Sequence, residues 1–212
     1  MNPLRSLLLR STAGIWNRRR SRLFADRKKQ LKNDDFTILS CNCIAGVVYH
    51  DFGLPFRTPI VNLFLTCEDF IRFCEDPKHY LSAEFLPYTG EIRKKYPLAD
   101  LDGLTLHLVH YSTFDSAKEA WERRKQRVNF GHIFLVGTNR NGFNEALSNR
   151  FDKLPYPKVL FVHREDDNPN HYYIKGFEND NQVGNILDRD GLLSGKRVMD
   201  QFDWVKFLNQ EI

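Results

Sequence analysis

Thr37-Ile38-Leu39-Ser40-Cys41-Asn42-Cys43-Ile44-Ala45-Gly46 is an apolar run that ends abruptly in small and polar residues. β-branched and aliphatic residues favour a buried strand, while Ser, Asn and Gly favour a tight turn that exposes backbone N–H groups. A helix is expected to begin at Ile44, so that its N-terminus faces the turn. In an α/β sheet, ligands bind at the carboxyl ends of the strands. This stretch therefore predicts a core strand and, directly after it, a functional site.

Strand patterns alternate with helical patterns along the rest of the chain. Strands are predicted at 60–65, 103–111, 132–137 and 158–163, with an edge strand at 172–177. Helices are predicted at 67–74, 115–128, 144–151 and 201–208, with Thr66 and Ser112 or Thr113 as N-caps. The alternation predicts an α/β fold, a three-layer sandwich with a mostly parallel central sheet, in which residues 36–212 form a single domain.

Charge is distributed unevenly along the 212 residues. The first 36 residues hold 10 Lys and Arg against 3 Asp and Glu, whereas the rest holds 21 against 24. The body has no basic surplus, so no nucleic-acid partner is expected. The spacing of the 4 Cys matches neither a disulfide scaffold nor a zinc site, which predicts a reducing compartment and no metal. The oligomeric state is not fixed by the sequence.

Residues 1–35 form a basic leader that is too short and too often interrupted by Arg to span a bilayer. One interpretation is a basic amphipathic N-terminal helix on an anionic membrane surface, with Leu side chains and Trp16 inserted. The protein would then be cytoplasmic and peripherally attached to the inner face of the membrane. Two alternatives are a mitochondrial transit segment and a solvated leader.

A Cys–His pair is the first predicted catalytic group. If the strands at 37–40 and 103–111 are parallel neighbours, Cys43 and His110 emerge at the same edge of the sheet, where imidazole can take the thiol proton. Asn42 and the backbone N–H groups of residues 44–46 would hold a developing oxyanion. His163, at another strand end, is the competing base. The alternatives are that the Cys are small buried residues and that His110 is a hydrogen-bonded cap.

Arg124 and Arg127 give a second signal. Two guanidinium groups one helical turn apart can bind a phosphate or carboxylate, and the nearby Trp121 and Asn129 suggest a face that contacts a ligand. A solvated helix face is the alternative.

Several ordered motifs resemble a bacterial family labelled domain of unknown function nineteen-nineteen, whose members are described as exopolysaccharide or capsule biosynthesis proteins. The resemblance covers residues 36–162 and leaves the leader and the last fifty residues largely outside. Its motifs are residues 37–46, Thr58-Pro59-Ile60-Val61-Asn62-Leu63-Phe64, Asp69-Phe70-Ile71-Arg72-Phe73, Tyr96-Pro97-Leu98, His110-Tyr111 and Trp121-x-x-Arg124-x-x-Arg127-Val128-Asn129.

The family turn looks like Ser-Asn-Asn-Cys, so Cys43 matches the family Cys, while Cys41 stands where Asn is usual. The Asn-Cys turn is also similar to that of a separate capsule-biosynthesis family, which binds coenzyme A and is proposed to transfer acetyl groups through a Cys–His pair.

These resemblances imply a transferase that moves an acetyl group from acetyl-CoA to a glycan. The alternatives are a glycosyl or phosphoryl-type transferase on a nucleotide- or lipid-linked sugar, and a glycan-binding or scaffold subunit of polysaccharide assembly.

Overall fold

A computed structural model describes the backbone of residues 3–212 and the side chains from residue 6 onward. Met1, Asn2 and the side chains of residues 3–5 in the predicted leader lie outside this part. The helices are α1 Pro3–Ser11, α2 Ala13–Lys28, α3 Ile44–Phe52, α4 Cys67–Glu75, α5 Pro77–Ser82, α6 Phe114–Lys125, α7 Glu145–Asp152 and α8 Trp204–Leu208, with a 3-10 turn at Val198–Gln201. The strands are β1 Thr37–Ser40, β2 Leu86–Pro87, β3 Leu98–Leu101, β4 Leu104–His107, β5 Ile133–Thr138, β6 Lys158–Val162 and β7 His171–Tyr173.

Four strands form a parallel sheet in the order β1-β5-β6-β7. Thr37 lies opposite Ile133 and Ser40 opposite Val136, so the two strands run in register. The strands predicted before the Cys-containing turn, at 132–137 and at 158–163 are confirmed as β1, β5 and β6. The edge strand predicted at 172–177 corresponds to β7, which lies at the edge of the sheet. The chain is therefore an α/β protein with a parallel sheet.

Successive side chains of a strand point to opposite faces of the sheet, and here each face is covered by a separate hydrophobic core. On β1, Leu39 packs into a core with helices α4 to α7 and the strands β3 and β4. Its neighbour Ile38 packs into a second core with α2, α3 and α8. Apolar contact on both faces explains why β5 and β6 read as continuous apolar runs. The finer three-layer description stays a prediction.

The strand predicted at 103–111 belongs to a different sheet. β4 pairs antiparallel with β3, which pairs antiparallel with the short β2. The prediction that this strand is a parallel neighbour of β1 is wrong, because the two residues Asp102 and Gly103 between β3 and β4 allow only a hairpin, and both adopt positive φ.

The predicted strand at 60–65 is also absent from the described structure. Asn62 has a φ of 64°, which interrupts an extended conformation. The segment still joins the two sheets, because the Leu65 N–H donates to the Cys41 carbonyl at 3.0 Å and Phe64 bridges to His107.

Side-chain caps begin five of the helices, α4 to α8, with Asp76 and Asp203 as the caps of α5 and α8. The oxygens of Thr66, Thr113 and Asn144 accept backbone N–H groups at the starts of α4, α6 and α7. These caps supply partners for N–H groups that have none within the helix. The predicted cap at Thr66 is confirmed, and of the two caps proposed for α6 it is Thr113 that is used.

The second helix of the leader packs against the body of the protein. Phe24 shares a core with α3 and meets the ring of Phe52 edge-on at 5.0 Å between centroids. Trp16 is 3% exposed, with Arg189 stacked over its ring at 4.6 Å. The prediction that Trp16 inserts into a membrane is therefore wrong, since the ring is covered by the protein itself.

A buried ion network holds α2 in place. The Arg20 guanidinium contacts Asp51, which lies near the end of α3, and donates at 2.7 Å to Asp200 near the C-terminus. All three side chains are 5% exposed or less. Removing one member of such a network leaves an unpaired buried charge, which costs more than the net contribution of the intact pair.

We therefore expect Arg20→Met to lower the free energy of unfolding by about 3–5 kcal/mol, because it removes the nearest cation from two buried carboxylates and leaves them only the longer contacts to Arg27 and Arg197. Lys29→Met is the control: its partner Asp26 is exposed, and a change below about 1 kcal/mol is expected. Urea unfolding measures both. Equal stability of the two variants would mean that the network does not fix the leader.

Candidate functional site

The carboxyl ends of β1 and β5 open into a cavity of about 240 Å³, which we call the edge cavity. Residues 41–44 form one wall and Thr138, Arg140 and Asn141 form another. The remaining walls come from Phe64, Leu65, Cys67, Val109 and residues 184–187. The cavity thus lies where the position of the β1 turn predicts a ligand site.

The turn after β1 is fixed by its own side chains. The Ser40 hydroxyl donates to the Asn42 carbonyl at 2.6 Å and accepts the Ala45 N–H at 3.1 Å. Asn42 Oδ1 accepts the Ile44 N–H at 3.0 Å. Two of the three N–H groups that the sequence assigns to an oxyanion site are therefore already bonded, and the side-chain oxygen of Asn42 acts as a cap.

Cys43 stands at the N-cap of α3 and is the half-buried member of the four thiols. Burial raises the pKa of the Cys43 thiol, and an interaction with the backbone of Asn62 lowers it by a smaller amount. At neutral pH the group is therefore a thiol, and attack by sulfur requires a base.

The other thiols lie deeper in the protein. Burial raises the pKa of Cys41, raises that of Cys67 to about 12, and raises that of Cys74 well above its ordinary value. Cys41 and Cys67 also line the edge cavity, yet both are buried. Of the four, Cys43 is the thiol that a reagent reaches first.

His110 approaches Cys43 through Asn62 rather than through a shared sheet edge. The His110 N–H donates to the Asn62 carbonyl at 3.2 Å, and Asn62 interacts with the Cys43 sulfur through its backbone. His110 is exposed. Within residues 6–212, no hydrogen bond joins the His110 and Cys43 side chains, so the predicted pair shares one region without direct contact.

The competing base, His163, lies farther along the same edge of the sheet. Its Nδ1 accepts the Asn139 amide at 2.6 Å, and Asn139 Oδ1 in turn accepts the Val183 N–H. His163 is not among the residues that line the edge cavity. These bonds give it a structural role in holding the loop after β7.

Arg140 is a cavity residue that the sequence analysis missed. Its Nη1 donates to the Gly184 carbonyl at 3.3 Å, and its Nε is buried without a hydrogen-bond partner among the described residues. Within residues 6–212, Arg140 forms no ion pair with a carboxylate. A guanidinium without a counter-ion favours an anion in the cavity.

The predicted anion-binding set is divided by the fold. Arg124 donates to the Tyr111 hydroxyl at 2.7 Å and stacks over Phe56, while Arg127 is exposed. Trp121 is 1% exposed and packs among core aromatics. Asn129 donates its backbone N–H to Thr37 Oγ1 at 2.8 Å, at the amino end of β1. Neither Trp121 nor Asn129 reaches the edge cavity.

Cys43 also borders a second cavity, of about 210 Å³, which we call the side cavity. One face of α3 forms its first wall, and residues 56–62 together with Arg197 contribute to the second. Its lining residues are Cys43, Gly46, Val47, His50, Phe56, Val61, Asn62 and Arg197. The thiol thus lies in the wall between two cavities.

A separate chain of hydrogen bonds joins Ser148, His171 and Asp166. Ser148 Oγ lies 3.1 Å from His171 Nε2, and His171 Nδ1 lies 2.7 Å from Asp166 Oδ2. Ser148 lies inside α7 and is not among the residues that line the cavity beside His171. We assign these hydrogen bonds a structural role: they connect the loop before β7 to helix α7.

The raised pKa of the Cys43 thiol predicts slow alkylation. At pH 7, iodoacetamide should label Cys43 more slowly than free cysteine, whose pKa is about 8.5, and the rate should rise as the pH is raised beyond that value. Mass spectrometry locates the label, and Cys43→Ser should remove the fastest-labelled site. Rapid labelling at pH 6 would show that the thiolate is already formed.

Comparisons with known proteins agree with the resemblance of the turn and extend it. The model of a family described as "Domain of unknown function (DUF1919)" matches residues 15–209 and so includes most of α2 and the C-terminal segment. An "Uncharacterized protein" of Haemophilus influenzae is 38% identical over 196 residues, which are 90% of this chain and 93% of that protein. The match is wider than residues 36–162. The parts that it adds, the second helix of the leader and the C-terminal segment, pack on the same core. The chain belongs to the DUF1919 family.

Proposed function

We propose that the protein is an acyltransferase of capsule or exopolysaccharide biosynthesis, which moves an acetyl group from acetyl-CoA to a hydroxyl of a glycan. The observation that supports this proposal is the position of Cys43, in the wall between two cavities at the carboxyl edge of the sheet. One cavity can hold a donor and the other an acceptor, with the thiol between them.

The reaction that this arrangement supports has two steps. Cys43 Sγ attacks the acetyl carbonyl carbon, the bond from that carbon to the coenzyme sulfur breaks, and the proton of Cys43 passes through a base to the departing sulfur. The acceptor hydroxyl then attacks the acetyl carbon on Cys43, and the thiol is restored. His110 is the base proposed for the first step: its backbone N–H is bonded to Asn62, whose backbone interacts with the Cys43 sulfur, although His110 itself lines neither cavity.

The edge cavity suits the reacting end of a donor. Its 240 Å³ is below the roughly 300–1,000 Å³ of sites that enclose a whole ligand, so the nucleotide part of the donor would extend outside. Arg140 supplies a positive charge without a carboxylate partner for a donor phosphate. The same features suit a nucleotide-linked sugar, which is the alternative donor.

We rank glycosyl transfer from a nucleotide-linked sugar second, because of where the carboxylates that could hold a metal lie. Glycosyl transfer from a nucleotide sugar commonly requires a metal held by carboxylates. Two Asp-x-Asp pairs occur in the sequence. Asp100 and Asp102 lie at the β3–β4 turn, where Asp100 Oδ1 accepts the Gly103 N–H and Asp102 contacts His79. Asp188 and Asp190 follow the edge-cavity residue Leu187, and Asp188 Oδ1 accepts the Asn185 amide at 2.7 Å. None of the four lines a cavity that contains Cys43. A scaffold role would need neither the cavity nor the thiol.

Calorimetric titration of the purified protein tests the donor. Acetyl-CoA should bind, and Arg140→Gln should weaken binding by about 10- to 100-fold, because a hydrogen bond to a charged group contributes about 1.5–3 kcal/mol. Arg164→Gln, at an exposed arginine outside both cavities, is the matched control. Cys43→Ala should still bind acetyl-CoA but form no acetylated glycan. Binding of nucleotide sugars alone would favour the alternative.

Association with the inner face of a membrane is a separate proposal, because it depends on the N-terminal helices. None of the helices among residues 3–212 is long and apolar enough to cross a membrane. Leu7 and Leu8 in α1 and Ile15 in α2 are 64%, 41% and 51% exposed. In α2 the exposed Arg18, Arg19 and Arg22 share a helical face with Ile15 by their spacing. Apolar and basic groups on one face suit an anionic lipid surface.

We expect the full chain to sediment with phosphatidylglycerol vesicles and not with neutral phosphatidylcholine vesicles, since each Arg near an anionic surface contributes about 1 kcal/mol. Leu8→Gln with Ile15→Gln should reduce sedimentation. Leu86→Gln, at a leucine that is likewise 41% exposed, is the control. Point variants are used rather than removal of the N-terminal helices, because α2 contributes to the hydrophobic core and its removal would unfold the protein. Equal binding to both lipids would exclude an electrostatic surface.

A further inference from the structure

The side cavity has a mostly apolar lining into which a few polar side chains are set. Cys43 and His50 line it from the two ends of one α3 face and are seven residues apart, or about 10 Å along the axis. Phe56 supplies an aromatic surface, and Asn62 holds a positive φ, an arrangement that costs free energy and is common at functional sites. A cavity of about 210 Å³ between them leaves room for a group the size of one sugar ring.

Positive charge at this cavity exceeds negative charge. Arg197 lines it and belongs to the buried network in which Arg20, Arg27 and Arg197 face Asp51 and Asp200. Three guanidinium groups against two carboxylates leave one positive charge unbalanced. Burial and the nearby Arg20 lower the pKa of Arg197, which is the direction expected for a surplus cation.

Arg20 and Arg197 each have a buried Nε without a hydrogen-bond partner within residues 6–212, and of the two it is Arg197 that lines the side cavity. Its Nη1 donates to the Leu187 carbonyl at 2.6 Å, and its Nε is 3.8 Å from Asp51 Oδ2 and has no hydrogen-bond partner within residues 6–212. Arg124 adds a second positive charge behind the cavity, stacked over Phe56 with its guanidinium 5.4 Å from the ring. An anionic group in the cavity would neutralise this surplus.

His50 lies at the rim with its side chain 78% exposed. Its Nδ1 lies 3.5 Å from Asp51 Oδ1, so a proton on Nδ1 leaves Nε2 free to accept one. His50 thus shares a cavity with the Cys43 thiol, although its position in the sequence carries no signal of a functional role.

We propose that the side cavity is the acceptor subsite and that it binds an acidic sugar, whose carboxylate or phosphate pairs with Arg197 and whose ring packs on Phe56. The reaction at this subsite rests on the proposed function: His50 takes the proton of the attacking hydroxyl. The hydroxyl oxygen bonds to the acetyl carbon, and the bond from that carbon to Cys43 Sγ breaks. The exposed His50 releases its proton to solvent, and the Cys43 thiolate takes up a proton from solvent.

Binding is tested first, on the full-length protein and without any donor. NMR titrations use methyl β-D-glucuronide and α-D-glucose 1-phosphate as acidic probes and methyl β-D-glucoside as the neutral probe. At least one acidic probe should bind at least tenfold more tightly than the glucoside, and its class of anion identifies the acceptor. Phe56→Ala and Arg197→Gln should weaken that binding at least tenfold. Phe130→Ala, at an exposed aromatic outside the cavity, should leave it unchanged.

The role of His50 is tested by single-turnover transfer from acetyl-CoA to the probe that binds. His50→Gln should lower the rate of transfer at least tenfold with little change in probe affinity, and acetyl-Cys43 should accumulate in mass spectra. His79→Gln is the control for loss of a surface histidine. A circular dichroism melt of each variant separates loss of the site from loss of the fold.

The outcomes distinguish the two proposals. Equal affinity for the acidic and neutral probes, or binding unaffected in a folded Phe56→Ala variant, would overturn the acceptor subsite even if acetyl transfer occurs. Selective binding without any release of coenzyme A would support the subsite and overturn acetyl transfer. Unchanged transfer by His50→Gln would remove His50 from the reaction.

Discussion

The Arg20 guanidinium lies out of contact with water, and the positions of three distant segments depend on it. It contacts Asp51 near the end of α3 and Asp200 near the C-terminus, partners that are 31 and 180 residues away in sequence. A buried charge is tolerated only where partners surround it, so α2, α3 and the C-terminal segment must come together. Gly195 permits this approach, since a Cβ there would lie 2.8 Å from the Arg20 backbone nitrogen.

Helix α3 is consequently held at both ends. At its C-terminal end, Asp51 belongs to the ion network. At its N-terminal end, Ser40 and Asn42 occupy the N–H groups of Ala45 and Ile44. Cys43 therefore has a fixed position between the two cavities, and residues fixed by packing and hydrogen bonds are those that can hold a reactive geometry.

The polar features around Cys43 each carry an energetic cost. Asn62 adopts a backbone conformation that is rare outside glycine, Arg140 has a buried nitrogen without a partner in the described residues, and the ion network has one charge too many. Stability alone does not account for such costs, and in folded proteins they concentrate at binding sites. Arg140 lines the edge cavity and Asn62 and Arg197 line the side cavity, and Cys43 borders both cavities, which is the physical reason for placing function there.

The sequence by itself determined the local elements. The run from Thr37 to Gly46 specified β1, its turn and the start of α3, because strand propensity and small polar residues act over a few residues. The cap at Thr66 and the apolar spacing of α4 were equally readable, since both are properties of one helix.

Only the tertiary structure decided which elements meet. It placed β4 in an antiparallel sheet, packed Trp16 against the body, and brought Arg140, His50 and Arg197 to the cavities beside Cys43. None of these relations has a local signature, because each depends on contacts between segments far apart in the chain. A single sequence reports the charge of Arg140 or Arg197. The fold alone shows that Arg140 has no carboxylate partner within residues 6–212 and that Arg197 shares Asp51 with Arg20.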